Sequence, residues 1–413
     1  MNRPWNQTLL LDLVTREADG EERAYKGNGF DEAFDDAPST CPDNSAFHSH
    51  RFDRTIDFVS SSSFVSMRLM RPKLFLTAFL FIAIALLLSC RPGAGNQNRL
   101  LIYTPHGQDL LKDFITRYKE RYPNADVQFL DMGSRQILER VRVERNRPQA
   151  DLWWGASHTT FQTAADENLL AEFRPTWADK TPADARDPND RWYGTYETPQ
   201  VIAYNSEAVS AEEAPRDWDA VLDPKWRDKV LIRNPNPSDT MRAIFGAMIL
   251  RFYKDTNSPE GGYEWLRKLD ANVHEYTADG TLLMQKLARR EGLITLWDMP
   301  DVRLFKEQKN LPVGYVVPAS GTPVITDGIA IIRGGPNQEE AKRFYEFVTT
   351  PESLAYTAHK YYRIPVRTDL DRSQLPGWMN EPFTRLPLDW ELLRKNGSDW
   401  LRYWDTEIRG RSR

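Results

Sequence analysis

LLIYTPHGQDLLKDFITRYKERYP, residues 100–123, holds one complete structural unit. Residues 100–103 are a short apolar run of strand length. Thr104-Pro105-His106-Gly107 breaks it. Leu110, Phe114, Tyr118 and Tyr122 then recur every four residues, which is helical spacing, and Pro123 closes the run. The unit is repeated twice. DVQFLDMGSRQILERV (126–141) is strand, the loop Asp131-Met132-Gly133-Ser134-Arg135, and a helix carrying Ile137, Leu138 and Val141. DLWWGASHTTFQTAA (151–165) is strand, the loop Gly155-Ala156-Ser157-His158, and a helix carrying Phe161, Ala164 and Ala165. Strand, short polar loop and helix in succession predict a parallel sheet flanked by helices. Its loops lie at the carboxyl ends of the strands, where such sheets bind ligands. Each loop opens a helix whose first N–H groups lack intrahelical partners, so three of them around one crevice predict an anion site.

Further on, 201–204, 230–233, 293–297, 315–317 and 328–332 read as strands. Residues 218–229 are helical and turn-like. Asn234-Pro235-Asn236-Pro237-Ser238-Asp239-Thr240 precedes an apolar helix over 241–252, with Ser238 or Asp239 as its cap. Residues 341–348 are helical, and the C-terminal helices carry Trp390, Trp400 and Trp404 as packing anchors.

Upstream, MRLMRPKLFLTAFLFIAIALLLSC (67–90) has a basic opening, an uncharged apolar run over 74–88 and a small residue before Cys90. This order is that of a secretory signal peptide. Its end looks like a lipobox, with Cys90 the lipidated residue of an extracytoplasmic, membrane-anchored chain. The apolar run is short for a membrane span, which wants about 20 residues. Residues 91–99 form a polar tether. Residues 1–66 are mixed in charge and lack apolar periodicity, and are read as a mis-assigned start or a disordered arm outside the fold.

About 320 residues follow Cys90, enough for two domains. A formal net charge of −5 with no basic block gives no nucleic-acid footprint. Of the two cysteines, Cys41 and Cys90, neither lies in the folded part, so a disulfide and a thiolate metal site are both excluded there. There is no G-x-S-x-G elbow, H-E-x-x-H helix or G-x-x-x-x-G-K-[ST] loop. His106, His158, His274 and His359 are scattered. No nucleophile, base and orienting group can be named together, so a hydrolase is the disfavoured class and no cofactor is called for.

The ordered stretches ADLWWG (150–155), VIAYN (201–205), 218–229, NPNPSDT (234–240), WLRKLDANVHEYT (265–277), GGPNQEEAKRFYEFV (334–348), Pro351-Glu352 and YRIPVR (362–367) resemble bacterial ABC-transporter substrate-binding proteins. The resemblance is to the two-lobed class that includes ferric-ion-binding proteins, and it covers residues 98–413. It implies a two-lobed α/β fold of the type 2 periplasmic-binding kind, each lobe a mainly parallel sheet flanked by helices. Lobe 1 would be 98–200 plus about 326–370. Lobe 2 would be 201–325 plus about 371–413. It also implies a small-molecule ligand clamped by hinge closure, ABC permease subunits as partners, and a monomer on the periplasmic face of a membrane. A sensor that signals to a receptor would look the same in sequence.

Ferric-binding members of this class hold iron with adjacent tyrosines, and the stretch that stands there, LITLWDMPD (293–301), has Trp297 and Asp298. The Tyr361-Tyr362 pair lies elsewhere. The expectation is therefore a small oxyanionic organic solute such as a sugar phosphate or phosphonate, with ferric ion as the alternative and no metal site favoured. Candidate ligand-binding residues are the hydroxyls of Thr104, Ser134, Ser157, Ser238 and Thr240, with His106 and the forked donor Arg135. Asp279, at a helix start, and Trp297 with Asp298, at a strand end, complete the set.

Overall fold

The computed structural model describes residues 99–380 and 382–411. The leader at 67–90, Cys90 and the segment 1–66 lie outside the described residues.

The three N-terminal units form as the sequence predicts. β1 (Arg99–Thr104), β2 (Asp126–Asp131) and β3 (Leu152–Ser157) are followed by α1 (Gln108–Arg121), α2 (Ser134–Glu144) and α3 (His158–Asp166). β1 lies parallel between β2 and β3. The sheet is buried on both faces, by two separate apolar clusters. One is built on Phe114, Trp154, Tyr193 and Phe344, the other on Tyr103, Leu138, Trp153 and Phe161.

β4 (Tyr193–Asn205) joins the two lobes in one continuous strand. Its first half pairs antiparallel with β9 (Val324–Ile331), which closes onto β3. Its second half, from Gln200, pairs antiparallel with β7 (Ile294–Asp298) on one side and β8 (Val313–Val316) on the other. Beyond β7 the second lobe continues parallel through β5 (Val230–Arg233) and β6 (Val273–Thr277), giving the order β2-β1-β3-β9-β4-β7-β5-β6. The ladders that flank the crossing are thus antiparallel, and the outer ones are parallel. β9 lies wholly in the first sheet, so the chain returns between β8 and β9. Pro199 stands where β4 changes partners. A residue with no N–H to donate is tolerated there because the ladder is handed from one sheet to the next.

The second core gathers Trp218, Phe245, Met248, Trp265, Leu296 and Trp404. Its helices are α4 (Asp239–Thr256), α5 (Glu260–Asp270), α6 (Gly280–Ala288) and α7 (Met299–Glu307). α8 (Gln338–Val348) and α9 (Pro351–Tyr361) return to the first lobe, and the short β10 (Ile364–Pro365) pairs with β4. α10 (Trp390–Tyr403) then packs Trp400 and Leu401 into the second core, with Trp404 just beyond its end. No helix among the described residues is long and apolar enough to cross a membrane.

Candidate ligand-binding cleft

The strand ends of the two lobes converge, and the lobes touch. Ser157, the N-cap of α3, donates both its backbone N–H (2.9 Å) and its hydroxyl (2.8 Å) to one carboxylate oxygen of Asp239 on α4. Thr160 donates its hydroxyl to the other oxygen at 3.0 Å. Gly133, the N-cap of α2, faces Pro237, where an added Cβ would lie 2.6 Å from the carbonyl oxygen. Only glycine permits that approach.

Charged side chains cluster where strands of the two lobes meet. Arg363 bonds Asp301 at 3.0 Å and faces Asp327 at 3.7 Å. Burial works against its charge, but Asp301, Asp298 and Asp327 outweigh that and hold its pKa up. Burial, reinforced by Asp301, raises the Asp298 carboxyl well above the usual range. Burial also pushes Asp327 up to about 7, against the pull of Arg363. Arg233 ends β5 with its guanidinium 5.4 Å from the Trp297 ring centre. Burial lowers its pKa, opposed by Asp279, Asp301 and Asp298 of its own lobe and Asp131 of the other. The Nε atoms of Arg233 and Arg363, His106 Nε2, Gln200 Oε1 and Thr295 Oγ1 are buried without hydrogen-bond partners among the described residues. Unpaired polar atoms are costly in a native interior.

The helix N-termini are not bare. Asp239 takes the α3 terminus, Asp279 caps α6 through Leu282 N at 2.8 Å, and Asp298 caps α7 through Asp301 N at 2.9 Å. Asp131 accepts from the backbone of Gly107, the N-cap of α1. The chain's own carboxylates thus occupy positions that the sequence left for a ligand anion.

The other candidate residues divide between two places. Thr104 is buried and accepts from His106 N at 3.1 Å. His106 packs edge-on against Trp154 and Tyr196, and burial, then Arg363, holds its pKa well below the ordinary value. Trp297 is only 3% exposed, a core residue whose ring carries Arg233 and whose N–H donates to Asp301. It therefore presents almost no surface to a ligand. Ser238 caps α4 through Met241 N at 3.3 Å. The hydroxyls of Ser134 and Thr240 make no hydrogen bond among the described residues, Ser134 being buried and Thr240 half-buried. Arg135 does not join Arg233. It lines a separate cavity beside Ser157 and Asp239. Arg233, Asp301, Asp327 and Arg363 escaped the sequence reading. Each is a lone charge beside an apolar run, and only the meeting of distant strands brings them together.

The family profile of bacterial extracellular solute-binding proteins matches residues 148–396. The chain belongs to that family. A Sinorhizobium fredii relative named as an ABC transporter periplasmic-binding protein is 24% identical over 313 residues, covering 75% of this chain and 86% of its own. A Salmonella typhimurium periplasmic protein named for 2-aminoethylphosphonate binding is 26% identical over 60% of this chain and 71% of its own. Among solved structures, the periplasmic binding protein AfuA of Actinobacillus pleuropneumoniae, with fructose-6-phosphate bound, superposes with a TM-score of 0.67 at 23% identity, covering 76% of this chain and 99% of that one. The ferric binding protein of Campylobacter jejuni gives 0.63 at 18%, covering 74% and 98%. Such structural likeness establishes the two-lobed fold.

Proposed function

We propose that this chain, the extracytoplasmic solute-binding component of an ABC importer, captures a small solute that carries one oxyanion together with hydroxyl or ammonium groups. Sugar phosphates and aminophosphonates are of this kind. The observation that carries the reading is Arg233, a guanidinium with an unpaired buried Nε, set among Asp131, Asp279, Asp298 and Asp301 from both lobes. A guanidinium forks onto phosphate or phosphonate oxygens. The surrounding carboxylates outnumber the arginines, so an anion with nothing to donate would be repelled. Hydroxyl or ammonium groups on the same ligand donate to those carboxylates and offset the repulsion. The names of the Salmonella relative and of the AfuA structure fit this mixed chemistry.

A ligand that contacts both lobes only when they close shifts the population toward closure, and a permease can read that state. Cys90 carries the lipid that keeps the protein at the membrane, and the protein works as a monomer without catalysis.

Ferric ion is the competing cargo. Tyr361, the first of the adjacent tyrosines, donates its hydroxyl to Asp113 and to the Asp109 carbonyl on α1. Among the described residues no three His, Cys, Asp or Glu side chains are grouped to hold a metal.

The test is thermal denaturation of the purified protein, stripped of ligand by unfolding and refolding. The panel is fructose-6-phosphate, 2-aminoethylphosphonate, putrescine and ferric citrate. A ligand at a hundred times its Kd adds about 2.7 kcal/mol, a visible rise in Tm. A rise with the phosphoryl or phosphonate compounds, reduced by Arg233→Ala, is expected. A rise with ferric citrate or putrescine alone would overturn the reading.

A further inference from the structure

A second cationic centre lies beside the interlobe contact. A cavity of about 150 Å³ opens between α2, α3, α4 and α10, lined by four arginines: Arg135, Arg142, Arg242 and Arg394. Two are neutralised within the protein. Arg142 pairs with Glu139 and Glu167, and Arg394 with Glu391 and Asp166. The other two are not. Among the described residues the Arg135 guanidinium makes no hydrogen bond or ion pair, and that of Arg242 bonds only the Ser398 hydroxyl, at 3.0 Å. The carboxylate on the same wall, Asp239, is already engaged by Ser157 and Thr160. Burial, then the charge of Arg135, lowers the Arg242 pKa to about 10 against the pull of Asp239, the sign expected where two cations and one carboxylate face one space. None of the residues of the Arg233 centre lines this cavity.

We propose that Arg135 and Arg242 form a second oxyanion site, which takes a phosphate or a phosphoryl group. The volume exceeds by about tenfold the roughly 10–15 Å³ that one water needs, leaving room for phosphate and its hydration. Two guanidiniums from different elements supply forked donors. Arg135 belongs to the first lobe, Arg242 to the second, and Ser398 to α10. The site is therefore complete only with the lobes together, and its occupant favours closure.

The test is calorimetric titration of the purified protein with inorganic phosphate, and separately with fructose-6-phosphate. The variants are Arg135→Ala, Arg242→Lys and Arg233→Ala. Arg135 has no bonds to lose, so its removal leaves the fold intact. The site predicts phosphate binding that weakens roughly tenfold or more in Arg135→Ala, weakens in Arg242→Lys, and survives Arg233→Ala. Phosphate binding that leaves the sugar phosphate affinity unchanged means a free anion is the occupant. Mutual competition, with both ligands weakened by Arg135→Ala, means the site holds the solute's own phosphoryl group in place of Arg233, and overturns Arg233 as its holder. Wild-type protein that binds no phosphate, or binding indifferent to Arg135→Ala, overturns the proposal. The Arg233 reading fails independently, through loss of the Arg233→Ala effect on the solute.

Discussion

Asp327 is a carboxyl raised to about 7 by its burial, beside Arg363 and within reach of the charges of Asp239 and Asp301. An unfolded aspartate titrates near 3.9. Between those values the folded protein binds the extra proton, so stability falls as pH rises from about 4 to about 7 and then levels. Asp298 is raised as well and adds a slope of the same sign. Asp327→Asn should flatten that decline in Tm against pH without abolishing it. An unchanged slope would mean that the residue is solvated. How far such residues could be read in advance depended on their neighbours. Ser157 and Ser238 follow strands and precede helices, a local pattern with a local meaning, and both are N-caps. Arg363 lies within a stretch that the family resemblance picked out, yet its role depends on Asp301 and Asp327, which no local pattern links to it.

α4 and α5 meet at Gly262, where an added Cβ would lie 2.4 Å from the Ile249 Cα. The obstacle is backbone, not the movable end of a side chain. Gly262→Ala should therefore force the helices apart and cost about 1–3 kcal/mol. The urea midpoint should fall with an unchanged m-value. A neutral variant would show that the helices separate freely. Elements of this kind were unevenly legible. The strand–loop–helix units have apolar positions at a clear period. β6 and the first half of β4 were passed over. In β6 the sequence is VHEYT, and His274 and Glu275 mask the strand. In β4 nearly every residue is buried, so the alternation that marks a half-exposed strand is missing. Pro199 lies between the two halves, where the crossing needs that residue's position and not its N–H.

Over the whole molecule the lobes are held by Asp239 gripped between Ser157 and Thr160. Hydrogen bonds to a charged group contribute about 1.5–3 kcal/mol. Asp239→Ala removes them and leaves Arg135 and Arg242 without the one negative charge on their wall. Ligand-free protein should then open, seen as a larger radius of gyration in X-ray scattering, and solute should bind more weakly because closure has to be driven from a more open start. Scattering identical to wild type would show that other contacts hold the lobes. The two-lobed plan was legible through the family resemblance of the ordered stretches, whereas the closed contact was not, since it joins a strand end in one lobe to a helix start in the other. That plan also bears on how the chain acquires its shape. β9 inserts between β3 and β4, and the entire second sheet lies between β4 and β9 in sequence. The second lobe assembles largely from contiguous chain. The first cannot fill the centre of its sheet until a strand returns from far along the sequence, and closing so long a loop slows folding. Synthesis from the N-terminus therefore leaves β1, β2 and β3 waiting on the last third of the chain, the second lobe taking shape before the first is complete.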